Sequence, residues 1–274
     1  MSVTAAPALV ATPVRTAWLG RRALHIAGSC SAIVTILLAW GVAGQFELVD
    51  SFLLPPLGTV VERLADDITS GDFATNAWLT FYRTMAGFVI AAAIGVPLGI
   101  AVARGAVMRW FCEPLISIGF PMPKIAFLPI FVLWFGVYDF SKIVMIAFAS
   151  IFTIVAAAET GMRGVEKFVI WSARSMGAGP VELFFRVIFP AAMPQIFTGL
   201  QIALPMALIT SVAAEMLMGG AGLGGAMLQA GRYADSPGVY AGVIETAAMG
   251  MVTVIGMARL RRRVLHWHPE FNPR

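Results

Sequence analysis

Trp171 to Pro190 reads WSARSMGAGPVELFFRVIFP, the one long interior stretch that is neither apolar enough for a membrane nor an evident loop. Ala173-Arg174-Ser175-Met176 predicts the end of a helix and Gly177-Ala178-Gly179 its stop, because glycine closes helices at low conformational cost. Pro180 then suits the first position of a new helix, where a missing N–H is no loss. Beyond it Val181, Phe184, Phe185 and Ile188 recur at helical spacing as one apolar face, with Glu182 and Arg186 on the other. The stretch predicts a short, water-exposed helix-turn-helix knob. Flanked by apolar runs, such a knob is shaped to be gripped by a soluble partner; the plainer alternative is an ordinary connection between helices.

Working outward, the whole chain of 274 residues is 59% hydrophobic and only 12% charged, with a mean hydropathy of +0.83. That composition describes a polytopic membrane protein, since a soluble domain carries about 25% charge. Residues 1–22 predict a tail ending in Arg21-Arg22, and Ala23 to Phe46 a first span, uncharged and longer than the ~7–15 residues of a signal core. Glu47 to Arg83 is polar. Within it Leu57, Val60, Val61, Leu64 and Ile68 line one face of an amphipathic helix suited to a membrane surface. Thr84 to Ala103 gives a second span, long enough to cross about 30 Å of hydrocarbon, in which Gly87, Gly95 and Gly99 suit close helix packing. Pro114 to Val137, broken by Pro121, Pro123 and Pro129, gives a kinked third span. Ile143 to Ala158, Gln195 to Ala214 and Gly238 to Ala258 give the fourth, fifth and sixth. The expected organisation is one membrane domain over 23–258, with the knob in a 159–190 loop, and a tail over 259–274.

Placing the N-terminus in the cytoplasm puts 14 of the 19 Lys and Arg residues inside, the knob's among them. The positive-inside bias therefore favours cytoplasmic termini and a cytoplasmic knob.

The knob also resembles a known signature. Ala173, Gly177 and the closing Val187-Ile188-Phe189-Pro190 are spaced like the EAA loop of ATP-binding-cassette (ABC) importer permeases, whose E-A-A triplet precedes a Gly and an I-x-L-P close. Here the triplet reads Trp171-Ser172-Ala173, and Phe189 stands where Leu is usual. Ser51 to Pro56 (SFLLPP), Gly95 to Gly99 (GVPLG), Leu133 to Gly136 (LWFG), Ala213 to Leu217 (AAEML) and the close from Arg261 to Trp267 are similar to the branch that carries nitrate, sulfonates, taurine and bicarbonate. The resemblance covers about Leu53 to Trp267. It implies an all-α permease of the type I importer kind with about six transmembrane helices and a coupling helix. It implies Trp171, Ser172, Ala173, Arg174, Gly177, Ala178, Val187 and Pro190 as ATPase-coupling residues. It further implies a bacterial inner-membrane homodimer bearing two ATPase subunits, which carry the ATP and magnesium, and served by a periplasmic or lipid-anchored binding protein for a small anion.

Other chemistries find little footing. Gly220-Ala221-Gly222-Leu223-Gly224-Gly225 satisfies G-x-G-x-x-G formally but follows a membrane span, not a strand, and no Walker A motif occurs, so the chain has no phosphate loop of its own. His25, His266 and His268, with Cys30 and Cys112, form no spaced metal or disulfide set. No nucleophile and base pattern marks an enzyme, and the +4 net charge, concentrated at one membrane side, is no nucleic-acid footprint.

Charges in the apolar runs are costly and therefore informative. Lys124, Glu215 and Glu245 are the candidate pathway residues. Lys124 counts to about 16 Å into the third span at 1.5 Å per residue, there to face a water-filled path or to pair with Glu215 or Glu245. A second functional reading, an ion-coupled transporter relaying protons through Glu159, Glu215 and Glu245, stays open at this point.

Overall fold

The computed structural model describes residues 31–32, 34–46 and 48–268. The predicted N-terminal tail, His25, Cys30, the start of the first span and the end of the C-terminal tail lie outside them. The chain divides into two units at Val60/Val61.

In the first unit, α1 (Val34–Gln45) is the described part of the predicted first span. Its Trp40 indole N–H donates to the Pro55 carbonyl at 2.9 Å. The helix α2 (Leu57–Ser70) is the expected amphipathic one and carries the unit boundary.

The second unit is built on α3 (Asp72–Arg104), α6 (Asp139–Arg163), α9 (Phe189–Met218) and α11 (Ser236–Val264). Each is long and apolar enough to cross a membrane, α9 as the end of one continuous 39-residue helix from Pro180. All four outrun their predicted spans. The largest difference is α3, which starts twelve residues before Thr84 and draws Asn76, Thr80 and Arg83 into the bundle; its polar first turns look like loop to a hydropathy reading.

Small residues set the helix spacing. Gly87 of α3 faces Ile143 and Ile146 of α6, Gly95 faces Ile151 and Ile154, and Gly99 faces Val155 and Ala158. The two series rise together, so α3 and α6 run parallel. The chain between Arg104 and Asp139 must therefore cross back through the bundle. It does so as a broken span, α4 (Ala106–Gly119) meeting the stretch Lys124–Phe135, which holds a 3-10 turn and α5 (Leu128–Phe135), at 98°. This replaces the kinked continuous helix expected over Pro114 to Val137, and depth counted along a straight axis no longer applies to Lys124.

Gly161 of α6 lies against Ala192 and Gln195 of α9, and Gly199 of α9 against Ala157, so these two helices are antiparallel. Returning antiparallel to α9, α11 sets Gly250 beside Leu208 and reaches Gln201 with Arg261. A core of Phe88, Ala91, Ile146, Ile154, Leu204 and Met257 fills the centre. Gly95 and Gly99, which the sequence offers for close helix packing, are consumed inside the chain against α6.

A Cβ on Gly99 would lie 2.5 Å from the Val155 carbonyl oxygen and 2.6 Å from the Ala158 Cβ, whereas one on Gly256 meets nothing within 4 Å. Gly99→Val is expected to destabilise the detergent-purified chain by roughly 1–3 kcal/mol through overpacking, with Gly256→Ala neutral or slightly stabilising, by thermal unfolding followed through tryptophan fluorescence. An unchanged midpoint for Gly99→Val would contradict backbone contact between α3 and α6.

Candidate functional site

The helix directions put two polar features at opposite ends of the second unit. From Arg83 to Arg104 along α3 is about 31 Å at 1.5 Å per residue, close to the thickness of membrane hydrocarbon.

At the α3 C-terminal end stands the knob. Its first helix, α7 (Lys167–Ser175), closes with the Ala178 N–H bonded to the Ala173 carbonyl at 3.1 Å and the Gly177 N–H to the Arg174 carbonyl at 2.9 Å. Those are the two bonds of a Schellman close, and Gly177 supplies the left-handed residue it requires, at φ 88°. Pro180 opens α8 (Pro180–Leu183) as predicted. A π-helical turn over Phe184–Ile188 then joins α8 to α9. That turn splits the predicted apolar face. Phe184 and Ile188 root the knob against Ala158, Met162, Ala192 and Ile196, Leu183 is buried, and the Arg104 guanidinium stacks 4.5 Å over the Phe184 ring. Val181 and Phe185 point outward and join Phe168, Trp171 and Met176 as exposed apolar side chains. Of the predicted coupling residues, Trp171, Ser172, Arg174 and Gly177 are exposed, Ala178, Val187 and Pro190 half-buried, and Ala173 buried. Glu182 and Arg186 pair with each other at 2.7 Å on the outer side.

At the other end lies a buried ionic cluster. Glu215 of α9, 0% exposed, accepts from Arg83 Nη1 at 2.6 Å, from the Thr80 hydroxyl at 2.8 Å and from the Gly224 N–H at 3.1 Å. Arg83, 4% exposed, also donates from Nη1 to the Ala221 carbonyl at 2.7 Å and from Nε to Asp139 Oδ1 of α6 at 2.9 Å. Asn76 Oδ1 accepts from the Gly222 N–H at 2.8 Å, Thr80 Oγ1 from the Leu223 N–H at 2.9 Å. Lys142 Nζ donates to the Gly219 carbonyl at 3.1 Å. Side chains from α3, α6 and α9 thus bind the loop that opens α10 (Leu223–Arg232).

This cluster explains the glycine-rich motif. Gly219, Gly220 and Gly222 all have positive φ, and a Cβ on Gly222 would stand 2.5 Å from the Glu215 carboxylate. The N–H groups that open α10 are all taken by the chain's own side chains, Gly222 by Asn76, Leu223 by Thr80 and Gly224 by the Glu215 carboxylate.

The three predicted pathway residues are not brought together. Glu215 sits in the ionic cluster. Lys124 lies at the break of the bent span, its Nζ 2.7 Å from the Phe120 carbonyl and over the Phe120 and Phe152 rings, while Glu215, one of the acids expected as its partner, pairs with Arg83 instead. Glu245 of α11 lines a separate cavity. Arg83, which holds the cluster together, was assigned by sequence to a polar connection. One signal could have found it: Asn76, Thr80 and Arg83, spaced four and three apart, share a single helix face. Among the described residues no three His, Cys, Asp or Glu side chains converge for a metal.

Comparison with known proteins decides what this frame belongs to. Residues 95–266 match the model of the binding-protein-dependent transport system inner membrane component. The chain belongs to that family. It is 30% identical, over 93% of its length and 95% of the relative's, to the taurine transport system permease protein TauC of Escherichia coli, and 29% identical, over 86% of both, to the putative aliphatic sulfonates transport permease protein SsuC of Bacillus subtilis. Among solved structures the fold is similar to the inward-facing MetNI methionine ABC transporter (TM-score 0.57, 20% identity, 70% of this chain and 93% of that one). It is similar also to an amino acid ABC transporter (TM-score 0.60, 18% identity, 75% and 98%). The chain is therefore a multi-pass permease subunit of an ABC importer, a transport subunit and not an enzyme. Its family implies an ATPase partner and a substrate-binding protein. No observation favours the ion-coupled reading.

Removing either member of a buried ion pair leaves the other uncompensated, at about 3–5 kcal/mol. Arg83→Leu and Glu215→Leu are each expected to destabilise the chain on that scale, with the double variant recovering a large part of the loss in a double-mutant cycle of unfolding. Additive losses would contradict a direct pair.

Proposed function

We propose that two copies of this chain form the membrane path of an importer for small organosulfonates, with cytoplasmic termini, a cytoplasmic knob and the ionic cluster on the outer side. The observation that carries the substrate class is the 30% identity to a taurine permease across nearly the whole chain, seconded by the aliphatic-sulfonate relative. The orientation rests on the basic residues at the knob end, Arg104, Arg109, Arg163, Lys167, Arg174 and Arg186.

In this reading the ATPase subunits, carrying ATP and magnesium, grip the exposed apolar side chains around Trp171, Met176, Val181 and Phe185. Ser172, Arg174, Gly177 and Ala178 shape the turn between the two helices, and Ala173, Val187 and Pro190 seat it. ATPase closure moves the knob, and α6 and α9 carry the movement to the far end as rigid elements. There Glu215, through Arg83, holds α3, α6 and α9 together and sets the closed state of the outer opening. Lys124, at the break of the bent span, offers a positive charge beside freed backbone, which lowers the barrier for a sulfonate without fixing it in place.

Reconstitution tests the whole reading. The chain in proteoliposomes, with its ATPase and binding protein, should take up ethanesulfonate or 2-aminoethanesulfonate only when ATP is supplied on the knob side. Uptake by the chain alone under a proton gradient would overturn it.

Two variants test the parts. A Cβ at Gly177 meets nothing within 4 Å, so Gly177→Leu costs only the left-handed backbone strain of about 1–2 kcal/mol. It should leave the permease folded but lower ATPase association and uptake at least tenfold, whereas Gly177→Asn, which tolerates positive φ, keeps most of both. Normal assembly in Gly177→Leu would contradict the coupling role. Lys124→Ala should cut uptake severalfold with assembly intact, and Lys124→Arg should retain part of it; full uptake by Lys124→Ala would remove this residue from the path.

A further inference from the structure

Between α2, α3, α10 and α11 lies a cavity of about 420 Å³, on the same side of the second unit as the ionic cluster and sharing Asn76 with it. Most of the charge on its wall is already satisfied. Arg63 pairs with Asp67 at 3.2 Å and with Asp235 at 3.4 Å, and Asp235 Oδ1 also accepts from the Gly238 N–H at 3.0 Å. Glu245 is different. The residue is 93% buried, at 7% exposure, it lines the cavity, and its Oε1 has no hydrogen-bond partner among the described residues. A buried carboxylate oxygen left bare is costly, and within a membrane-spanning helix such a group marks a functional partner.

The partner's chemistry follows from the wall. Its ionisable residues are Asp67, Asp72, Asp235 and Glu245 against the single Arg63, so a plain anion is repelled and a cation attracted. The cation is not a bare metal ion, because no three carboxylate, His or Cys side chains converge among the described residues. It has room for several non-hydrogen atoms and needs N–H groups to donate to Glu245. Phe73 and Tyr233 complete the wall with aromatic faces, which attract ammonium groups.

We propose that this cavity is a binding site for an organic ammonium group, held by Glu245 between Phe73 and Tyr233. On the sulfonate-import reading above, on which this last step rests, the ammonium belongs to an aminosulfonate solute, and the cavity is what separates that solute from a plain alkanesulfonate on the permease itself.

Isothermal titration of the full chain in nanodiscs tests the site with three probes: 2-aminoethanesulfonate, ethylammonium and ethanesulfonate. The wild type is expected to bind the two amines and not ethanesulfonate. Glu245→Gln is expected to weaken both amines at least tenfold while keeping the wild-type unfolding midpoint. Failure of the wild type to bind either amine, binding of ethanesulfonate as tightly as its amino counterpart, or undiminished binding of the amines by a folded Glu245→Gln would each overturn the proposal. The wild-type comparison decides the matter even if the variant does not fold. Uptake separates this inference from the reading beneath it. ATP-driven entry of ethanesulfonate with no amine binding refutes the cavity site alone, whereas amine binding without entry of any sulfonate refutes the import reading and leaves the ammonium site standing.

Discussion

The Arg83–Glu215 pair is the constraint on which this architecture depends. Two ions are withdrawn from water at one end of a helix bundle, and such a pair is tolerable only when the remaining donors and acceptors are also met. Meeting them recruits α3 through Asn76 and Thr80, α6 through Asp139, and the backbone from Ala221 to Gly224. The same requirement dictates local sequence. Positive φ favours glycine at 219, 220 and 222, and at 222 a Cβ would also collide with the Glu215 carboxylate, which accepts from the Gly224 N–H.

What lies between that pair and the knob is stiff for a related reason. Helices that meet through glycine and alanine, as α3 does with α6 at Gly99 and α6 with α9 at Ala157 and Gly199, touch backbone to backbone and have little side-chain cushion to absorb a displacement. The knob is rooted in this body through Phe184 and Ile188, while its outer apolar residues are exposed. On the reading proposed above, a load at the knob moves helices, not loops, and reaches the far end through Glu215 and Asp139. The broken span is the exception, a bend where the backbone opens around Lys124.

Much of this was legible in the sequence where the cause is local. Gly177 and Pro180 announced the knob's turn because helix ends are written in a few neighbouring residues, and the apolar runs gave the order of the spans. Contacts made across the chain were not legible. Arg83 and Glu215 are 132 residues apart, and charge in the first turns of α3 made that part of the helix read as a connection. Proline in Pro114 to Val137 signalled a distortion but not a bend of 98°. Gly95 and Gly99 signalled close packing without naming the partner, which is α6 of the same chain and not a second copy. At the pathway residues the sequence identified costly charges correctly as unusual, yet only the fold separates Glu215, satisfied on every side, from Glu245, which is not.

The central claim is that knob and ionic cluster face opposite sides of the membrane, the knob toward the ATPase. Cysteine accessibility tests it most directly. With Cys30 and Cys112 replaced by serine, single cysteines at the exposed positions Val181, on the knob, and Tyr138, beside the cluster, are challenged with a membrane-impermeant maleimide in right-side-out vesicles. The account predicts immediate labelling of Tyr138→Cys and labelling of Val181→Cys only after permeabilisation. Labelling of both from the same side, or of Val181→Cys alone from outside, would contradict it.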